Sequence, residues 1–533
     1  MNYLLGTDIG TSGTKTILMD TTGKLIAQDL QEYDVLTPKP LWAEQWPDVW
    51  YEATKDSIRN TVAKAAEAGV KADEIKGIAI SGLYGGSGIP LDENMKPIRP
   101  CMIWMDRRAD EETKWVLDHI GEEKLLEITH NGADPYYGYT KILWMKNHEP
   151  ENWAKTKLFL PPNDYVIYHL TGEIAIDYSS AGNIGGIFDM NQRTWSEELM
   201  DAMGIPMSMM PQRIVESTDI VGGMTKEAAE DLGLWEGLPV IASGIDCGAA
   251  NIGLGVFESG VYAAAIGTSM CGALISDKPV EGKGLIVWPY LYDAKNLSYY
   301  FAGGNTAGAI VKWFRNTLCQ WEIENQKNGG PNLYDVLNGQ AEQIPAGSEG
   351  LVVLPYFMGE RSPIWDSDAK GTIVGLSLAH TKGHIYHAFL EAVAYCLRDA
   401  MEATGSDLGD HILIAGGVTK SKVWRQIFAD VTGYPVVCPI YDVEANMGDV
   451  MLAGIGTGLL TYEEVKKWQV LDDKIMPKKK HMRSIMNTSS SKEHLSAFER
   501  RYETADENSL VIDGNEKSCR VIDSLKQGQG ALV

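Results

Sequence analysis

A four-residue pattern occurs twice in this chain, about half of its 533 residues apart. Ile9-Gly10-Thr11-Ser12 is repeated as Ile266-Gly267-Thr268-Ser269, and an apolar run typical of a strand precedes each copy. Four matching residues also arise by chance, but the shared strand-and-turn context favours an internal duplication. The repeat therefore predicts two related lobes, each close to half of the chain.

Three strand-to-glycine turns are predicted, at residues 6–14, 265–272 and 415–419. Glycine lets the backbone approach an anion closely, so the N–H groups of such a turn can donate to phosphate oxygens. Threonine and serine hydroxyl groups in the first two turns add further donors. Each turn alone is compatible with an ordinary tight turn, but three of them in a duplicated chain favour a polyphosphate site.

Two aspartates lie beside these turns. Asp8 directly precedes the first turn, where a carboxylate would repel phosphate unless a cation such as Mg²⁺ lay between them. Asp246 follows the apolar strand 238–242 and precedes a run of small residues, which suits a general base that a substrate hydroxyl approaches closely. The alternatives are a turn-capping role for Asp8 and a helix-capping role for Asp246.

Aromatic and acidic residues in the first half of the chain are typical of a polyol or sugar site. Trp104 and Asp106 follow a short apolar strand, and Tyr136 and Tyr137 lie together in a predicted loop. Aromatic faces pack on C–H surfaces while polar groups bond hydroxyls. The alternative is a core tryptophan with surface ion pairs.

Composition excludes several classes of partner. The chain carries 47 Lys and Arg against 72 Asp and Glu, a net charge of −25, which disfavours nucleic acid and anionic membranes. Its seven cysteines are scattered without a C-x-x-C pair, which indicates reduced thiols and a cytoplasmic location. We expect no signal peptide and no membrane span, since the N-terminus lacks a basic region and no run of 18 apolar residues exists.

Helices are predicted near 48–68 and over 384–403. In the second, Leu390, Val393, Leu397 and Met401 follow helical spacing and form one apolar stripe. The sequence contains no Walker-type, dinucleotide-binding, zinc or serine-hydrolase motif. The corresponding functions therefore lose their main support in the sequence.

Several segments, in this order, resemble the motifs of the FGGY family of carbohydrate kinases. The resemblance covers about residues 1–460, and the motifs together are highly specific. The segments are Asp8-Ile9-Gly10-Thr11-Ser12-Gly13-Thr14-Lys15, Trp42-Ala43-Glu44-Gln45 with Trp50, Trp104-Met105-Asp106-Arg107-Arg108, Pro162-Asn163-Asp164-Tyr165, Gly244-Ile245-Asp246, Ala265-Ile266-Gly267-Thr268-Ser269, Gly359-Glu360-Arg361-Ser362-Pro363 and Ala415-Gly416-Gly417.

The resemblance implies an α/β chain with a two-lobed, actin-like (ribonuclease-H-like) ATPase fold and an active-site cleft between the lobes. It implies an N-terminal lobe over 1–250 with the sugar site and first phosphate motif. A C-terminal lobe over 251–475 would carry the second phosphate and adenosine motifs, followed by an extension over 476–533. ATP, Mg²⁺ and a small sugar are the implied ligands, and a homodimer is left open.

The resemblance also assigns roles to individual residues. Asp246 would be the catalytic base and, with Asp8, would lie at the metal. The implied ATP-binding residues are Thr11, Ser12, Lys15, Gly267, Thr268, Gly304, Gly416 and Gly417. The implied substrate-binding residues are Tyr84, Gly85, Trp104, Asp106, Tyr136 and Asp246.

Within the family, the spacing is most similar to xylulokinase-like pentulose kinases, which implies a ketopentose acceptor such as xylulose. Two positions depart from that pattern: the loop at Gly85 lacks the usual Met-His pair, and Cys247 stands where Asn usually follows the catalytic Asp. Ribulose, a tetritol, glycerol, gluconate or an autoinducer sugar therefore remain open as acceptors. From other classes, a non-catalytic actin-like nucleotide-binding protein and an acetate-kinase-like or exopolyphosphatase-like relative also remain open.

Overall fold

Strands and helices alternate along the chain, as the sequence predicts for an α/β protein. The computed structural model describes residues 1–280, 284–405, 408–440 and 445–478. The predicted C-terminal extension, 476–533, lies outside the described residues from 479 onward.

The described part of the chain forms strands and helices with the following bounds. The strands are β1 Tyr3–Ile9, β2 Gly13–Asp20, β3 Leu25–Glu32, β4 Glu44–Gln45, β5 Ile75–Gly82, β6 Ile89–Leu91, β7 Cys101–Met102, β8 Leu158–Leu160, β9 Ile176–Asp177, β10 Phe188–Asp189, β11 Thr194–Trp195, β12 Ile214–Val215, β13 Ile220–Gly223, β14 Pro239–Ile241, β15 Tyr262–Ile266, β16 Met270–Ser276, β17 Ile286–Pro289, β18 Ser298–Ala302, β19 Val352–Leu354, β20 Thr372–Val374, β21 Ile412–Gly416 and β22 Val436–Val437. The helices are α1 Pro47–Glu67, α2 Asp110–His119, α3 Glu122–Thr129, α4 Gly138–His148, α5 Pro150–Lys155, α6 Pro162–Thr171, α7 Tyr178–Asn183, α8 Glu197–Met203, α9 Lys226–Leu232, α10 Asp246–Gly253, α11 Gly308–Leu318, α12 Gln320–Lys327, α13 Leu333–Ala341, α14 Lys382–Glu402, α15 Lys422–Thr432, α16 Ala445–Gly456 and α17 Tyr462–Lys466.

Two six-stranded sheets with matching strand pairing agree with the prediction of two related lobes. The first has the order β13-β14-β5-β1-β2-β3, and the second has the order β17-β18-β16-β15-β21-β22. In each sheet the strand before the repeated turn pairs antiparallel with the next strand and parallel with a later one: β1 with β2 and β5, β15 with β16 and β21. The two turns therefore occupy equivalent places, each closing a hairpin at the carboxyl end of a central strand.

The predicted helices at 48–68 and 384–403 are confirmed as α1 and α14. The Ser57 hydroxyl of α1 donates to the carbonyl of Asp29 over 3.0 Å, which fixes α1 on the β3 side of the first sheet. The four stripe residues of α14 are all buried in the second lobe. Apolar periodicity predicted both helices because each buries one face on a sheet or on neighbouring helices.

Helix α16 comes from the second half of the sequence but packs on the first sheet. Its backbone lies so close to β1 that a Cβ atom at Gly6 would collide with the carbonyl oxygen of Asn446. A Cβ atom at Gly448 would likewise collide with the carbonyl oxygen of Ala249 in α10. Glycine at these two positions thus allows direct backbone packing between the three elements. The predicted lobe boundary at 250 stays a prediction.

Within the described ranges, no helix combines the length and apolar character needed to cross a membrane. The six cysteines in these ranges are all free thiols.

Gly448→Ala should lower the thermal unfolding midpoint, because the added methyl group overpacks the contact between α16 and α10, a change that costs about 1–3 kcal/mol. The matched control is Gly339→Ala in the exposed part of α13, where nothing lies within 4 Å of the new Cβ atom. There the substitution should leave stability unchanged or raise it by roughly 0.5–1 kcal/mol, since alanine favours helix. Differential scanning fluorimetry compares the two, and a stabilised Gly448→Ala protein would contradict the close packing.

Candidate active site

The first glycine turn joins β1 to β2 and is held from one side by Tyr33. The N–H of Gly10 donates to the Gly13 carbonyl over 2.9 Å, and the Tyr33 hydroxyl donates to the Gly10 carbonyl over 2.7 Å. The N–H of Tyr33 donates to the Ser12 carbonyl over 3.1 Å. The carbonyl groups are thereby occupied, while Thr11 and Ser12 remain at least partly accessible at the tip.

The second glycine turn is held against the start of helix α11. The Gly267 carbonyl accepts the N–H of Gly308 over 2.8 Å, and the Thr268 carbonyl accepts the N–H of Ala307 over 2.9 Å. Gly267 and Thr268 are themselves exposed. The positive end of the α11 dipole therefore lies next to this turn and favours an anion there.

Gly304, a predicted ATP-binding residue, lies in a loop that Glu360 fixes. One carboxylate oxygen of Glu360 accepts the backbone N–H groups of Asn305 and Arg361, at 2.8 and 2.9 Å. Burial raises the pKa of Glu360 to about 7, although these two donors oppose the rise. Glu360 consequently adds less negative charge beside Gly304 than an ordinary carboxylate would.

Gly416 and Gly417 end strand β21 and begin the third turn. Gly416 has a φ of 91°, in the left-handed region, and a side chain there would collide with the carbonyl oxygen of Ile266. Both constraints require glycine. The close approach places the third turn directly beside the second, since Ile266 and Gly416 are paired in the parallel ladder.

Asp8 lies one residue before the end of β1, the central strand of the first sheet, among polar neighbours. It lies opposite Lys15 on β2 and opposite Ser81 on β5 in the two ladders. Residues opposite each other in a ladder share a face, so the Lys15 ammonium stem and the Asp8 carboxylate lie on one side of the sheet. The Ser81 hydroxyl lies 3.4 Å from Asp8 Oδ1.

A further aspartate that sequence reasoning missed lies behind Asp8. Asp449 of α16 is fully buried, and its two carboxylate oxygens accept hydroxyl groups from Ser243 over 2.6 Å and from Ser81 over 2.8 Å. Burial raises its pKa well above the usual range, the Ser243 bond opposes this, and the charge of Asp8 raises it further. An aspartate inside the apolar helical run 447–452 was the available signal.

Asp246 is the first residue of α10 and remains partly accessible although packed atoms surround it. Burial raises the pKa of its carboxyl group to about 6, while the backbone N–H of Cys247, donating to Oδ1 over 2.6 Å, opposes the rise. The preceding Gly244 is bonded through its carbonyl to the N–H of Gly82, over 3.0 Å. Asp246 is therefore placed at the carboxyl ends of the first-sheet strands.

Trp104 connects the predicted sugar side with the first phosphate turn. Its indole N–H donates to the Thr11 hydroxyl over 3.1 Å. The guanidinium group of Arg361, from the second lobe, lies 5.6 Å from the Trp104 ring and 5.2 Å from the Phe301 ring. Arg361 also donates to the Gly303 carbonyl over 3.0 Å. The two lobes thus meet through a cation on an aromatic wall.

Tyr84 and Tyr136 extend this wall. Their ring centroids are 5.0 Å apart, and Trp365 of the second lobe lies 6.2 Å from Tyr136 and 6.4 Å from Tyr137. Tyr84 of this wall and Ile245, the residue before Asp246, line one small cavity. An aromatic wall beside a carboxylate suits the C–H faces and hydroxyls of a sugar.

Two predicted substrate residues are constrained by protein contacts. Asp106 is fully buried, and its carboxylate oxygens accept the Ala43 N–H over 2.7 Å and several donors of Arg108. A side chain at Gly85 would meet the ring of Pro162 at 2.5 Å, so this position contributes backbone only. Sugar contacts by Asp106 and Gly85 stay predictions.

The structure places several of the predicted residues in contact, and four further residues lie next to them. Trp104 reaches Thr11, Tyr84 reaches Tyr136, and the second and third turns are adjacent. Sequence reasoning missed Asp449, Glu360, Arg361 and Trp365 as site residues; Glu360 and Arg361 lie in a motif already recognised at 359–363, while Trp365 depends on lobe contact alone.

The residues present fit a magnesium-dependent phosphoryl transfer. In the part of the chain that the structure describes, no group of three or more His, Cys, Asp or Glu side chains could hold a metal ion. Mg²⁺ is bound in proteins by one or two carboxylates together with waters and substrate phosphates, and Asp8 supplies such a carboxylate beside the first turn. The glycine turns offer donors for phosphate oxygens and Asp246 offers a proton acceptor, as positioning and charge stabilisation in this chemistry require.

Comparison with known proteins agrees with this geometry. Residues 3–253 match the N-terminal domain and residues 262–457 the C-terminal domain of the FGGY family of carbohydrate kinases. A xylulose kinase of Lactococcus lactis is 32% identical over 463 residues, which cover 86% of this chain and 89% of that relative. A gluconokinase of Bacillus subtilis is 30% identical over 463 residues, which cover 86% of this chain and 88% of that relative. The crystal structure of a xylulose kinase from Rhodospirillum rubrum superposes with a TM-score of 0.84 at 27% identity, covering 94% of this chain and 99% of that one.

Both halves of the chain match one family, the relatives are matched over nearly their whole length, and the two-lobed α/β fold is shared. The expected fold class and enzyme class are thereby confirmed, and the non-catalytic alternative is set aside. The protein is a sugar kinase and belongs to the FGGY family of carbohydrate kinases.

Proposed function

We propose that this kinase transfers the terminal phosphoryl group of ATP to a hydroxyl of a ketopentose such as xylulose, with Asp246 as the general base. The observation that carries the proposal is the Asp246 carboxyl group, which combines a raised pKa with partial access beside the aromatic wall. A base whose pKa lies near the working pH is the most effective proton acceptor.

The other residues bind and orient. The turns with Thr11, Ser12, Gly267 and Thr268 offer hydroxyl and N–H donors to the phosphates, as the accessible tips and the α11 dipole indicate. Gly304, Gly416 and Gly417 border the nucleotide. Asp8, beside Lys15, would hold Mg²⁺, which when bound neutralises charge on the phosphates.

Tyr84, Trp104 and Tyr136 would contact the sugar. Closure of the lobes around the Arg361–Trp104 contact would exclude water, which competes with the sugar as phosphoryl acceptor. The acidic chain then relies on local donors to attract ATP, since its net charge is −25.

The ketopentose assignment is supported by the xylulose kinase relatives and by the xylulokinase-like spacing of the motifs. Gluconate is the second candidate, because the gluconokinase relatives are nearly as similar and because Arg361 places a cation on the aromatic wall, where a carboxylate could pair with it. A cytoplasmic location and the oligomeric state stay predictions.

Asp246→Asn should lower kcat by at least about 10²-fold, because an amide cannot accept the proton of the sugar hydroxyl. ADP binding, measured by calorimetry, should stay close to that of the wild type. The control is Asp118→Asn on the exposed face of α2, which should leave kcat unchanged. Near-normal ADP release by Asp246→Asn in a coupled assay would contradict the role of Asp246 as the general base.

The pH dependence of kcat/KM should follow the ionisation of the Asp246 carboxyl group. The base works when deprotonated, so kcat/KM should hold above the raised pKa of about 6 and fall tenfold per pH unit below it. In Asp246→Asn the residual activity should lack this acidic limb. An unchanged limb in that variant would assign it to another group.

Kinetic measurements with a panel of acceptor sugars and polyols identify the preferred substrate. Sugar-dependent ADP release should give the highest kcat/KM with xylulose or another ketopentose, ahead of gluconate, glycerol and tetritols. A preference for gluconate would favour the second candidate, and equal weak turnover with every acceptor would contradict both.

A further inference from the structure

One buried carboxylate has no part in the proposed mechanism: Asp449 on α16. Its side chain is 0% exposed, and both of its oxygens are engaged by hydroxyl groups, from Ser243 at 2.6 Å and from Ser81 at 2.8 Å. It therefore cannot touch a sugar or a phosphate directly. Any effect of Asp449 on the reaction is therefore transmitted by Ser81 and Ser243.

Both serines lie next to residues of the proposed chemistry. Ser81 is opposite Asp8 in the parallel ladder, and its hydroxyl oxygen is 3.4 Å from Asp8 Oδ1. Ser243 lies three residues before Asp246 and has a φ of 52°, in the left-handed region that serine rarely adopts. The bond to Asp449 holds the Ser243 side chain in this strained turn.

Asp449 is itself held rigidly. The residue before it, Gly448, brings α16 into backbone contact with Ala249 of α10, the helix that Asp246 begins. Earlier in the same helix, Asn446 contacts β1 at Gly6, two residues before Asp8. One helix therefore packs on both elements that carry the proposed metal-binding and catalytic carboxylates.

We propose that Asp449 is a positioning residue: by fixing the hydroxyl groups of Ser81 and Ser243, it aligns Asp8 and Asp246 with each other. The inference rests on the proposed roles of those two aspartates and deepens them. Positioning matters because a displacement of about 1 Å at a reacting group can cost about 10²-fold in rate.

Asp449→Ala removes both acceptors and should lower kcat by roughly 10- to 100-fold, with a higher Mg²⁺ concentration needed for half-maximal rate and a smaller change in the sugar KM. Asp449→Asn keeps the size and one acceptor oxygen, so its kcat should lie between those of Asp449→Ala and the wild type. Ser243→Ala should lower kcat as well, and Asp449→Ala with Ser243→Ala should lose less than the product of the two single losses, because both changes break the same hydrogen bond.

The matched control is Val450→Ala, the neighbouring buried residue of the same helix. It removes side-chain packing of α16 on β1 but leaves in place the backbone contacts at Gly6 and Gly448 and the hydrogen bonds of Asp449. It should lower the unfolding midpoint while kcat and the Mg²⁺ dependence stay within about twofold of the wild type at a temperature where all variants are folded.

The outcomes separate the claims. A wild-type kcat and Mg²⁺ curve for folded Asp449→Ala would overturn the positioning role, and so would an equal kcat loss in Val450→Ala, since the effect would then follow packing alone. If Asp449→Ala does not fold, wild-type kinetics of Asp449→Asn and Ser243→Ala overturn the role instead. If Asp246→Asn is inactive while the Asp449 variants are normal, only this inference fails; if Asp246→Asn is active, the proposed function fails first.

Discussion

The backbone packing of helix α16 against β1 and α10 is the contact on which the proposed catalytic geometry depends. Gly6 and Gly448 permit an approach that no larger residue would allow, and the approach joins the elements that carry Asp8 and Asp246. Because interiors are close-packed, such a contact leaves its elements little freedom to shift relative to each other. The same helix delivers Asp449 to the serines beside both aspartates. The contacts of α16 therefore contribute both to the packing of the first lobe and to the placement of the proposed site residues.

Electrostatics sets the second requirement. A chain of net charge −25 repels a polyphosphate at long range, and three aspartates lie at or behind the site. Local features offset this repulsion: the N–H groups and hydroxyls of the glycine turns, the start of α11, Lys15 beside Asp8, and Arg361 on the aromatic wall. Burial also raises the pKa of Glu360 and Asp449, which lowers the negative charge they carry. In the proposed mechanism, attraction to ATP comes from these short-range donors and a metal ion.

The fold was predictable because its signals are local. A repeated turn at 9–12 and 266–269, each after an apolar run, predicts the two hairpins, and helical periodicity predicts α1 and α14. Asp246 and the turns were recognisable from their neighbours in sequence. The apolar neighbours of Asp449 mark it only as a buried carboxylate and nothing near Trp365 marks that residue, because the contacts of both are with distant segments. Asp106 shows the converse: its residue type suits a sugar contact, yet Arg108 and Ala43 occupy its oxygens in the folded chain.

The central claim is that Asp246 accepts the proton of a sugar hydroxyl during phosphoryl transfer. Rapid-quench measurement of a single turnover, with excess enzyme over labelled ATP at saturating xylulose, isolates this step from product release. The account predicts that the rate of the transfer step falls as the pH drops through the raised pKa of Asp246, about 6, and that Asp246→Asn loses both the rate and this dependence. A transfer rate in Asp246→Asn equal to that of the wild type would contradict the account.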